Sequence, residues 1–193
     1  MSILALTSNT LIGTPAAGNI EYNGQLFVTD SNASRAQLQR IVRTASVNST
    51  SGTSIDFTGI PAWVEKITVI FQGVSLSSTA QILVQLGTGS TTYTTSGYLS
   101  TSAAVSGTTS VSNVSSGFNI RTDGAAQLVS GTMTIVNITG NSWVSSHSTK
   151  QSTTTAMFGA GDVALGAVLT AVRITSTSTD TFDLGTINII YEG

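Results

Sequence analysis

The side chains able to do chemistry are few. His147 is the only histidine, set in Ser145-Ser146-His147-Ser148-Thr149, so any imidazole base would have to be this one. A Ser-His-Asp hydrolase must present a serine to such a base, and no Gly-x-Ser-x-Gly turn occurs in the chain. The setting predicts a half-exposed histidine at a strand end. One histidine and no cysteine cannot supply the imidazoles or thiolates of a zinc site. Asp180 and Asp183 are hard-cation donors by type, but they lack the Asp-x-Asp-x-Asp-Gly spacing, and a solvated turn is expected there. Gly159-Ala160-Gly161-Asp162 and the following residues to Gly166 imitate a phosphate-cradling loop without its Lys-Ser/Thr ending. That stretch reads as a turn. The nine carboxylates show no recognisable pair of the kind that flanks a glycosidic bond. The expectation is a protein with no catalytic residues, no metal and no cofactor, and not an enzyme.

Binding chemistry remains. Trp63, Trp143, Tyr93, Tyr98 and Tyr191 could each stack on a sugar ring. Trp63 and Tyr191 lie in apolar-alternating stretches and are expected in the core. Tyr93 and Tyr98, between Thr91 and Thr101, have no apolar setting. They are the candidate contacts to a host-surface glycan, together with a long loop expected from Ser100 to Ser116. Arg35, Arg40 and Arg43, three of the seven basic residues, fall together near the N-terminus. They form either a solvated helix face or a means of docking this segment on an acidic neighbouring subunit.

The elements that must position these residues are strands. In Gly59-Ile60-Pro61-Ala62-Trp63-Val64-Glu65 the proline fits a turn, and Ile67, Val69 and Phe71 then alternate with Lys66, Thr68 and Ile70. The same two-residue period recurs at Ile82, Val84 and Leu86, at Met133 and Ile135, at Val172 and Ile174, and at Ile187, Ile189 and Tyr191. Shorter strands are expected from Tyr93 to Leu99, at Phe118 and Ile120 before an Asp123-Gly124 turn, and from Thr153 to Phe158. Thr139-Gly140-Asn141 marks a hairpin leading into Trp143. About eight strands with no helix between them exclude βαβ crossovers. The fold class expected over residues 47–193 is all-β, an antiparallel β-sandwich of jelly-roll-like kind. Residues 1–46 read as an extended arm or adaptor. It holds a small hairpin around Asn23-Gly24 and, over Asp30 to Arg43, a short helix capped by Asp30 or Ser31.

Composition narrows the classes further. Only 8% of residues are charged and the net charge is −2, which leaves too little basic surface for nucleic acid. No apolar run approaches the roughly 20 residues of a membrane span, so membrane insertion is not expected. The N-terminal residues lack the basic start and apolar length of a secretion signal, which predicts synthesis and assembly in a cytoplasm. So little charge gives weak protection against association, and suits surfaces committed to partners.

The segment from Pro15 to Phe27, with Gly18-Asn19-Ile20-Glu21-Tyr22-Asn23-Gly24, resembles a segment of tail-fibre and related virion proteins of tailed bacteriophages. The block from Ile55, with Gly59 to Val64, Leu83 to Gly87, Trp143, Thr179 to Asp183 and Ile187 to Glu192, is similar to a β domain recurring in phage-derived proteins. The resemblance implies a non-enzymatic structural protein of the virion, assembled in the host bacterial cytoplasm. It also implies a homotrimer, attached to other proteins of the tail or capsid by its N-terminal arm and displaying its β domain for host attachment. A capsid decoration or head-fibre protein is the alternative within that class. A free carbohydrate-binding module of lectin type is the alternative outside it.

Overall fold

Every regular element among the described residues is a β-strand, and all strand pairings are antiparallel. The computed structural model describes residues 10, 11, 13–23, 25–122, 124, 125 and 127–193. Two units are distinct, Met1–Arg40 and Ile41–Gly193.

The first unit holds β1 (Ile20–Tyr22), β2 (Leu26–Thr29) and β3 (Arg35–Gln37) in a three-stranded meander. Tyr22 pairs with Leu26, so the expected hairpin is present. Gly24 of its Asn-Gly pair lies outside the described residues. The helix expected from Asp30 to Arg43 does not form. The Asp30 carboxylate accepts the N–H groups of Asn32 and Ser34 at 2.9 and 2.8 Å, and Ala33 has a φ of 57°. An aspartate that would cap a helix here closes a tight turn and sends the chain back as β3.

The second unit contains β4 (Ile41–Arg43), β5 (Val47–Asn48), β6 (Ile55–Thr58), β7 (Lys66–Leu76), β8 (Ile82–Gly87), β9 (Leu99–Val105) and β10 (Thr109–Val114). These are followed by β11 (Phe118–Ile120), β12 (Val129–Thr139), β13 (Ser142–Lys150), β14 (Ala156–Ala164), β15 (Ala171–Ser176) and β16 (Phe182–Glu192). One sheet runs β10-β9-β14-β13-β12-β7-β16-β4, with β5 also on β16; the other runs β11-β8-β15-β6. Ile67, Val69 and Phe71 of β7 face inward as their alternation requires, and so do Met133, Ile135, Ile187 and Ile189. From the smaller sheet Ile82, Val84, Leu86, Val172 and Ile174 join them in one continuous core. This is an all-β sandwich, two sheets with their apolar faces together. The hairpin of β12 and β13 turns on Gly140 (φ 55°) and Asn141, as expected.

Three local expectations need correction. Tyr93 to Leu99 is no strand, since Tyr93 makes a single bridge to Gly87 and β9 begins only at Leu99. The loop expected from Ser100 to Ser116 is mostly the β9–β10 hairpin, turning at residues 106–108. The strand expected from Thr153 begins at Ala156 and runs to Ala164, through the stretch from Gly159 to Asp162 that reads as a turn. The reason is common to the last two. The inward positions there are Ser100, Ser102, Ala104, Met157, Gly159, Gly161 and Val163, and the small or polar ones at the centre break the hydrophobic alternation.

Candidate functional site

His147 and its neighbours sit in the sandwich interior. Strand register places Met133, His147, Gly159 and Ser102 in one row across β12, β13, β14 and β9. The imidazole crosses above Gly159, where a Cβ would lie only 2.3 Å from Nε2, and reaches the Ser102 hydroxyl at 3.1 Å. Its Nδ1 faces the Thr149 hydroxyl at 3.4 Å. Burial lowers the His147 pKa to about 4, so the ring is neutral near pH 7. The half-exposed strand-end histidine expected from sequence is therefore a mid-strand, 6% exposed one.

Ser102 has a second bond that explains its position. β11 is an edge strand of the smaller sheet, and the N–H groups of Asn119 and Arg121 point away from its partner β8. The hydroxyls of Ser100 and Ser102 accept them, both at 3.0 Å. Ser100 also donates to the Asn119 side-chain oxygen at 2.9 Å. Two serines of the large sheet thus complete the hydrogen bonding of an edge in the small one, where buried unmet donors would be costly. The His147–Ser102 pair carries the side chains of a nucleophile and a base. Its serine is fully buried and already accepts an amide, leaving no path for a substrate. Among the described residues no group of three or more His, Asp or Glu could hold a metal ion.

The tyrosines separate. Tyr98 is fully buried, its ring edge-on to Phe118 with centroids 4.9 Å apart and its hydroxyl accepting the Leu86 N–H at 2.7 Å. Burial pushes its pKa up to about 12. The exposed setting expected for Tyr98 is thus corrected, and it is a core residue. Tyr93 is half-buried, with the Arg173 guanidinium 4.0 Å from its ring centroid. Arg173 in turn grips Asp56 with two bonds of 2.8 Å. Burial and the Asp56 charge raise the Tyr93 pKa, offset in part by Arg173. Gly87 permits this packing, because a Cβ there would meet the Tyr93 ring at 2.9 Å. Trp143 is in the core, and Trp63 packs against it with Tyr191, ring centroids 5.8 Å apart.

The arginines are not one cluster along a helix. Arg35 in β3 holds buried Glu21 of β1 through bonds of 2.8 and 3.2 Å. Arg40 is half-buried, and Arg43 is exposed in β4 opposite Ile190. Asp180 accepts the Ala80 N–H at 2.9 Å and so ties a turn, while Asp183 is exposed in β16.

What remains open is the outer face of the large sheet at its β13-β14-β9-β10 end. Residues pointing away from the core there include Phe158, Leu99, Val105 and Val111, which are 50%, 71%, 42% and 57% exposed. Around them lie Ser146, Ser148, Ala156, Ala160, Thr101, Ala103, Thr109 and Asn113. The only charges on these four strands are Lys150 and Asp162. An open groove of about 520 Å³ adjoins this face between Leu99, Thr101, Asn113 and Val114. Large apolar side chains among small uncharged ones, with charge kept to the margin, is the composition of a contact surface. Sequence reasoning missed it, because the hairpin that carries it was expected to be a loop. No protein-family model, no curated protein and no solved structure matches this chain.

Proposed function

We propose that this chain is a non-enzymatic structural protein of a tailed-bacteriophage particle, of tail-fibre or receptor-binding type. Its N-terminal unit attaches it to neighbouring virion proteins, its sandwich is displayed, and several copies assemble together in the host cytoplasm. The class rests on the resemblance of the Pro15–Phe27 and Ile55–Glu192 motifs, which also implies three copies. The observation that carries the mechanical part is the nearly chargeless outer face around Phe158, on a sheet whose other face is filled by core. A surface of this kind is stable in water when another protein covers it. The non-enzymatic part is supported by Ser102, His147 and Tyr98, reactive by type and each occupied and buried.

Mass spectrometry of purified particles of the phage encoding this chain tests the reading. The chain is expected at a fixed copy number, in stoichiometric ratio to the tail or capsid proteins. Its absence from particles, with the protein free in the lysate, would overturn the assignment.

A further inference from the structure

The outer face described above carries its own complement. Lys150 ends β13 and Asp162 lies near the far end of β14; Lys150 pairs in register with Ala156, six residues before Asp162. The two charges are therefore about 20 Å apart along the strands, at ~3.3 Å per residue. Neither forms an ion pair among the described residues. Between them lie Phe158 and, two residues on, Ala160, a large side chain beside a small one on the same strand.

We infer that this face binds the same face of a second copy, related by a two-fold axis that lies between the sheets and across the strands. Such an axis reverses strand direction, so it lays each strand antiparallel over its own equivalent. Phe158 then sits over the partner copy's small Ala160, Leu99 over Val105, and Lys150 beside Asp162. Each contact occurs twice. Other two-fold arrangements, with the axis along the strands, leave Lys150 over uncharged Thr109 and Asp162 over apolar Leu99. Charge thus selects the reversed one. The inference rests on the proposed role in assembly and names the surface used. Pairing of this kind links two copies, or two trimers, so the number of chains is even.

Sedimentation of the full-length protein over a wide concentration range, with charge-reversed variants, tests this. Wild type is expected as an even-numbered assembly. Lys150→Glu and Asp162→Lys are each expected to weaken association roughly tenfold or more, because the symmetry creates two like-charge contacts per pair. The double variant Lys150→Glu/Asp162→Lys is expected to restore it. Both sites are exposed, and circular dichroism melting checks that each variant is folded. A double variant as weak as the singles would overturn the inference. Assembly indifferent to both reversals, or in threes alone, would overturn the surface while leaving the structural role standing. A monomer at every concentration would overturn both.

Discussion

The inner face of the large sheet has two halves that use the same backbone differently. Across β16, β7 and β12 it presents Ile187, Ile189, Ile67, Val69, Phe71, Met133 and Ile135, and stability there comes from apolar burial. Across β13, β14 and β9 it sets Ser145, His147, Thr149, Gly159, Gly161, Ser100 and Ser102 among the apolar Trp143, Met157, Val163 and Ala104. Gly161 lies under the Phe118 ring, where a Cβ would approach at 3.0 Å, and Ser100 and Ser102 reach the edge of β11. One half holds the sheets together by apolar burial alone, the other adds hydrogen bonds at close approach to a thinner apolar core. Polar residues in a core are therefore no sign of a catalytic site when their hydrogen bonds are made within the fold.

The largest expected effect lies in the apolar half. Phe71→Ala should cost about 3–5 kcal/mol, read by denaturant unfolding, since the ring is 2% exposed and leaves a cavity. A loss under 1 kcal/mol would mean the two halves contribute alike.

Next comes acid. The His147 pKa of about 4 lies below the ordinary 6.5, so as pH falls the unfolded chain takes up the proton first. Stability is then full above about pH 6.5 and falls by about 3 kcal/mol by pH 4. His147→Gln should flatten that slope in melting curves; an unchanged slope would show that carboxylates, not this ring, cause it. Gly159→Ala should cost about 2–3 kcal/mol, because the new methyl meets His147 Nε2 and the Thr101 carbonyl at 2.3 and 2.5 Å. The smallest effect is expected at the surface. Breaking the partly exposed Arg173–Asp56 pair with Asp56→Asn should cost under about 1 kcal/mol, with solvent screening most of it.

The same contrast decided what was legible from sequence. Strands β7, β8, β12, β15 and β16 bury branched or large apolar side chains at every second position, so Ile67, Val84, Ile135, Ile174 and Ile189 reveal both strand and face. The inward positions of β9 and the middle of β14 are serine, alanine or glycine, and Leu99, Val105 and Phe158 lie on the outward face, so the hydrophobic period is broken even though Met157 and Val163 are buried. Hence the β9–β10 hairpin was expected as a loop, and with it Tyr98 was placed outside the core. The helix expected after Asp30 failed for another reason: aspartate caps helices and closes turns with the same carboxylate geometry. The outer contact face was illegible because its strands were. The single histidine was conspicuous, but the glycine beneath it lies in the next strand and only register joins them.

The serine caps on β11 are the most direct test of the claim that the polar half is architecture. Amide hydrogen exchange would be measured at Asn119 and Arg121 in wild type and in Ser102→Ala. Both amides are expected to be protected in wild type although they face away from β8, and Arg121 should lose protection in the variant with a stability loss of about 1–3 kcal/mol. Rapid exchange of Asn119 and Arg121 in the wild-type protein would contradict it.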